Sequence, residues 1–151
     1  MRNYFENFDS WSINFLRRIS IPFSRIALFI VFFWFGILKI IGTSPANQMV
    51  MDLMNSTLPF MTWSTFIILF SIYEMIIGIS FLIPRCERLA MALLIPHMIM
   101  TFLPLIFLTD MTWQGMFTPT LEGQYIIKNL IIIALAIGIA SHLHPLKEKR
   151  R

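Results

Sequence analysis

An all-α integral membrane protein, a four-helix bundle with both termini on the cytoplasmic side, is the fold this sequence predicts. Three observations predict it. Of 151 residues, 57% are hydrophobic and only 13% charged, against about 25% charged in ordinary soluble domains. Mean hydropathy is +0.73, more apolar surface than one domain of this length hides without an apolar solvent around it. Four stretches also reach the roughly 18 to 20 residues needed to cross a hydrocarbon core of about 30 Å.

The chain opens with residues 1–20, in which Tyr4, Phe5, Phe8, Trp11, Phe15, Leu16 and Ile19 recur at helical spacing. Glu6, Ser10, Asn14 and Arg17 fall on the other side. That pattern predicts an amphipathic helix lying on the cytoplasmic membrane surface. Glu6 and Asp9, a spanning-length apolar run and no small-residue cleavage site argue against a cleavable signal. Ser20 and Pro22 are expected to restart the chain as a separate helix, because proline suits a first turn.

The spans follow at about residues 21–42, 62–83, 89–108 and 124–143. Membrane strands would be about 10 residues of alternating polarity. These runs do not alternate, and backbone in lipid must satisfy itself, so each reads as a helix. Between the first two, "TSPANQMVMDLMN" predicts a short helix over the outer mouth, with Ser44 as cap and Pro45 at its first position. Pro96 and Pro104 are expected to bend the third span. Trp113 and Phe117 should anchor the second outer loop at the interface. Residues 144–151 form a basic tail that meets membrane lipid.

Orientation follows from the twelve Lys and Arg. Arg2, Arg17, Arg18, Arg85, Arg88, Lys147, Lys149, Arg150 and Arg151 flank one side; the two opposite loops carry only Asp52, Asp110 and Glu122. Lys/Arg bias in short loops sets topology, so both termini are expected in the cytoplasm. The net charge of +4 is then a topology signal, and its division among termini and one turn excludes a nucleic-acid surface.

Three basic residues, Arg25, Lys39 and Lys128, lie inside the spans with Glu74, His97 and Asn129. Ionisable groups in membrane spans are costly and usually face the bundle interior. Counted from the span ends at about 1.5 Å per residue, Glu74 and His97 share a depth on adjacent helices and are candidate proton-handling residues. The same count leaves the Lys39 and Glu74 backbones about 15 Å apart in depth, beyond direct reach, so that water or a ligand headgroup would bridge them. Arg25 and Lys128 are expected to snorkel to the boundaries. Ser71, Glu74 and Gly78 form one stripe, and Arg25, Phe32, Gly36 and Lys39 another, as approaching membrane helices require.

Other chemistries have less to stand on. The one cysteine, Cys86, rules out a disulfide shuttled within one chain. No spacing resembles a zinc or iron–sulfur site, and no metal is expected. His142 and His144 lie too far in depth from His97 to share a haem. No cofactor is built into the sequence.

The segment "RIALFIVFFWFGILKIIG" resembles the opening span of the DoxX family, with Arg25, Gly36 and Lys39 at its recurrent positions. "YEMIIGISFLIPR" is similar to its second span, with Glu74 and Gly78. "TFLPLIFL" and "PTLEGQYIIKNLIII" resemble third- and fourth-span signatures of the wider clan. The resemblance covers roughly Pro22 to Ile139 and implies a four-span bacterial inner-membrane protein. It implies association with quinone-linked oxidoreductases, including a thiosulfate-oxidising complex, or with oxidative-stress assemblies. By that analogy Arg25, Lys39, Glu74, Lys128 and Asn129 are candidate ligand-binding residues, and His97 joins them by depth.

Three functions are consistent with this reading. The first is a membrane subunit of a quinone-dependent oxidoreductase, the quinone bound by a polar pocket around Glu74 and the electrons supplied by a protein partner. The second is a non-catalytic scaffold or assembly factor. The third is a small transporter, which with four spans and no internal repeat would act as a homo-oligomer.

Overall fold

In the computed structural model, residues 2–143 are described, with side chains from Glu6 onward. Tyr4, Phe5 and the basic tail with His144 lie outside the described side chains. Four helices are long and apolar enough to cross a membrane: Glu6–Ile40, Trp63–Leu82, Glu87–Phe107 and Leu121–Ala140. They carry outward rows of exposed apolar side chains, such as Ile68, Leu69, Ile72 and Ile76, or Leu130, Ile131 and Ile137. Such surfaces are compatible with a multi-pass membrane protein, in which lipid covers them.

The first helix, α1 (Arg2–Ile40), is longer than sequence suggests. It runs unbroken through Pro22, so the expected restart at Ser20 does not occur. Pro22 lacks an N–H, so the helix misses its bond to Arg18 O, and the hydroxyls beside it bond other carbonyls of the same stretch. Ser20 Oγ donates to Arg17 O at 3.3 Å and Ser24 Oγ to Ser20 O at 2.7 Å. At about 1.5 Å per residue its 39 residues span about 58 Å, nearly twice a hydrocarbon core. Phe8, Trp11 and Phe15 stack in a ladder with ring centroids 6.2 and 5.6 Å apart, and all three are exposed.

Helix α2 (Asn47–Thr57) is the expected short helix. It begins two residues later than Pro45 because Ser44 Oγ accepts from Ala46 N at 3.3 Å, turning the chain before the helix starts. Helix α3 (Trp63–Leu82) packs antiparallel on α1 over the largest interface in the fold. Two glycines make it close. A methyl group on Gly36 would lie 2.9 Å from Ser71 O and Met75 Cγ; one on Gly78 would lie 3.1 Å from Phe29 O and Phe33 N. Small residues let membrane helices approach to backbone contact, and here they also fix the register.

The third span is divided. Helix α4 (Glu87–Phe102) passes through Pro96, whereas the short α5 (Pro104–Phe107) starts at Pro104 with Leu103 as the joint. A turn, α6 (Thr109–Thr112), leads into an unforeseen hairpin, β1 (Trp113–Gly115) with β2 (Thr118–Pro119). Phe117 tops it in a left-handed backbone conformation (φ 57°) and is exposed. Trp113 is half-buried and its Nε1 donates to Leu105 O at 3.0 Å. The fourth span begins at α7 (Leu121–Ile127), capped by Thr120 Oγ1, which accepts from Gly123 N at 3.1 Å. It continues as α8 (Asn129–Ala140). Leu28, Phe32, Ile77, Phe81, Leu94, Met98 and Ala136 meet in the bundle's core.

Candidate functional site

The α1–α3 register decides the site. Gly36 faces Ser71 and Met75, and Gly78 faces Phe29 and Phe33, which sets Lys39 level with Phe70. Glu74 is then only four residues from Lys39 in depth, about 6 Å. The C-terminal end of α1 stops short of the start of α3, so counting depth from the span ends overstates the gap. Lys39 leans back along α1, as helical side chains do, and reaches Glu74 directly.

Lys39 Nζ donates to Glu74 Oε1 at 2.8 Å and to Oε2 at 2.6 Å. The expectation that water or a ligand must bridge the two is therefore corrected. On the other side His97 Nε2 lies 3.2 Å from Glu74 Oε1, as their shared depth predicted. A neutral imidazole facing a carboxylate donates from Nε2, an assignment made from its partner. Its Nδ1 is then an acceptor, 3.3 Å from Thr101 Oγ1. Lys39, Glu74 and His97 are 7%, 5% and 4% exposed, so three ionisable groups from three helices form one buried network.

Aromatic rings close it. Phe32 and Phe70 approach the His97 ring edge-on at 5.3 and 5.4 Å, and Tyr73 lies at 6.0 Å. Lys39 Nζ also sits 5.6 Å from the Phe70 ring centre, a cation–π contact. Tyr73 Oη donates to Leu93 O at 2.5 Å, tying α3 to α4 beside His97. In the sequence these rings are only faintly signalled: Phe70 and Tyr73 flank the Ser71–Glu74 stripe, and Phe32 lies one turn before Gly36.

The remaining candidates sit elsewhere. Arg25 reaches the α3–α4 turn at the end of its span and is held there by protein partners. Its Nε donates to Phe81 O at 2.6 Å, its Nη2 to Ile83 O at 3.0 Å and Leu82 O at 3.3 Å, and its Nη1 pairs with Glu87 at 2.7 Å. The guanidinium thus satisfies the open carbonyls ending α3 and the acid beginning α4. Lys128 is exposed, as expected, with Nζ 4.8 Å from the Tyr125 ring. Asn129 Nδ2 donates to Ile126 O at 3.0 Å and Tyr125 O at 3.3 Å, holding the α7–α8 joint. Neither belongs to the buried network.

An apolar groove of about 610 Å³ runs between α4–α5 and α8, lined by residues including Leu94, Ile95, Met98, Phe102 and Ile133. At roughly 100° per residue, its wall on α4 points away from His97, so groove and ionisable network occupy different faces. Sequence could not reveal it, since an all-apolar helix shows no preferred side. Among the described residues no group of three or more His, Cys, Asp or Glu could hold a metal ion.

No family model, no curated protein and no solved structure matches this chain.

Proposed function

We propose that this is a small multi-pass subunit of the bacterial inner membrane, similar to DoxX proteins. In this reading both termini face the cytoplasm and residues 1–20 meet that face with their aromatic side, which requires α1, unbroken through Pro22, to bend or tilt there. Its Lys39–Glu74–His97 network handles protons for a quinone-linked redox or oxidative-stress system. The network itself carries the proposal: Glu74 is shared between a Lys39 ammonium at 2.6 Å and a His97 imidazole at 3.2 Å in the middle of a bundle. A buried pair is seldom the most stable filling of such a space, since apolar residues of like volume often do as well or better. Intramembrane ionisable groups accordingly point to function. A carboxylate between an ammonium and an imidazole can take up a proton and return it with little motion. Electrons would come from a partner subunit. The apolar groove on α4 suits an isoprenoid tail, leaving the network to serve the protons rather than to grip the ring.

A second reading, a scaffold for other membrane proteins, is favoured by one observation: Lys39, Glu74 and His97 bind one another and are shut in by aromatic rings. The test is to purify the full chain in mild detergent and identify bound quinones, lipids and proteins by mass spectrometry. The Glu74→Gln and His97→Phe variants follow, with quinone-linked proton uptake measured in liposomes. Quinone association with uptake lost in both variants supports the redox reading. A co-purifying protein, no quinone, and Glu74→Gln without effect support the scaffold.

A further inference from the structure

One buried group beside the network has no partner. Ser71 is fully buried, and its Oγ makes no hydrogen bond. Several other hydroxyls in this chain's helices satisfy themselves on the carbonyl one turn back. Ser80 Oγ donates to Ile76 O at 2.7 Å, Thr112 Oγ1 to Leu108 O at 3.0 Å, and Thr57 Oγ1 to Leu53 O at 2.7 Å. That bond is the ordinary resort of a hydroxyl inside a helix. Ser71 lies on the α3 face that bears Glu74, against the α1 face that bears Gly36 and Lys39.

A second unpartnered atom lies at the other end of Lys39. Asn47, which starts α2, donates from Nδ2 to Lys39 O at 3.4 Å, while its buried Oδ1 has no partner. Buried polar atoms in folded proteins are nearly always satisfied, by protein or by ordered water. Two exceptions lie near one lysine, one on the residue that bonds its backbone and one on α3 a turn before its partner Glu74.

We infer that Ser71 Oγ and Asn47 Oδ1 are the polar stations of a water-binding site that joins the Lys39–Glu74–His97 network to the α2 end of the bundle. The hydroxyl can both donate and accept, and the amide oxygen accepts. Water held between them meets Lys39 and Glu74. The ionisable groups of the adjoining network are Lys39, Glu74 and His97, with Tyr73 turned to the Leu93 carbonyl. Exchange runs in balanced steps: the His97 Nε2–H bond breaks as its proton passes to Glu74, Glu74 gives a proton to the water and takes one back, and that proton re-forms the Nε2–H bond, so charge is conserved. This rests on the proton-handling reading and adds the side from which protons come.

The test uses the full chain in liposomes, ¹⁵N-histidine labelling and D₂O as the probe. Exchange of the His97 Nε2–H is followed by NMR, with the signal assigned by its loss in His97→Phe. Ser71→Val, which replaces the hydroxyl with a methyl, and Asn47→Leu should each slow exchange about tenfold, the effect of removing one hydrogen-bonding station. Ser71→Thr restores the hydroxyl and should restore the rate, which controls for misfolding. Ser80→Ala removes a satisfied hydroxyl on the same helix and should change little. Unchanged exchange in Ser71→Val and Asn47→Leu, or equal slowing in Ser80→Ala, would overturn the water site. Slowed exchange combined with an unaffected Glu74→Gln function would retain the water site and reject the redox role.

Discussion

Lys39 Nζ touches both oxygens of Glu74, at 2.6 and 2.8 Å, and the pair is almost wholly removed from solvent. Each charge is therefore the other's principal compensation. Removing one partner leaves a buried charge, which typically costs about 3–5 kcal/mol, whereas replacing both with apolar groups is often neutral. Lys39→Met and Glu74→Leu should each lower unfolding stability by that amount. The double variant should recover most of it, giving a large coupling energy in a double-mutant cycle. Additive losses would contradict the pairing.

Close packing of α1 on α3 gives a second expectation. Gly36→Ala and Gly78→Ala insert a methyl into a gap already at backbone contact. Overpacking of this kind costs about 1–3 kcal/mol, read as a lowered midpoint in detergent unfolding. Gly138 has open space beside it, so Gly138→Ala should be nearly silent.

Arg25 holds the α3–α4 turn with a planar fork that lysine cannot imitate. Arg25→Lys keeps the charge but loses most of the bonds to Phe81, Ile83 and Glu87. Hydrogen bonds to charged groups contribute about 1.5–3 kcal/mol, so the lysine variant should be destabilised by roughly 2 kcal/mol. Protease cutting at the turn, near Arg85 and Arg88, should also speed up. Unchanged stability in Arg25→Lys would show that charge alone holds the turn.

Much of the fold could be read from the sequence, and the reasons are physical. Long apolar runs leave helices as the spanning solution, so all four appear, the last three within about three residues of the expected bounds and the first extended far toward the N-terminus. The Glu74–His97 contact followed from depth alone, because a short turn fixes the stagger of adjacent helices. Lys39 was misplaced because the chain between the first two spans is long and does not fix their stagger; Gly36 and Gly78 do. Their presence was visible, but which residues they would face was not. Pro22 misled for a related reason: proline at a helix start and proline inside a membrane helix look alike in a chain. The hairpin after α6 has only two or three residues per strand, too few for alternation to show.

The ladder of Phe8, Trp11 and Phe15 gives a further expectation. Spin labels at positions 8 and 15, in a Cys86→Ser background, should be shielded from water-soluble relaxants in liposomes containing anionic lipid. A label at Asn14, on the opposite face, should be accessible. Equal accessibility at all three positions would exclude a membrane-resting segment.

The stagger of α1 against α3 has a consequence for the surrounding bilayer. Exposed apolar residues run on α1 from Phe23 to Ile41 and on α3 from Ile68 to Ile83, and with Lys39 level with Phe70 the two belts lie at the same depth. The start of α1 continues beyond that shared belt with Phe8, Trp11 and Phe15 exposed. Lipid thickens beside the start of α1, or the helix tilts to cover it, each at a cost of a fraction of a kcal/mol per Å of mismatch. Acyl-chain length should therefore act on this protein, setting how much of the first turns of α1 the bilayer covers without any change in its covalent structure.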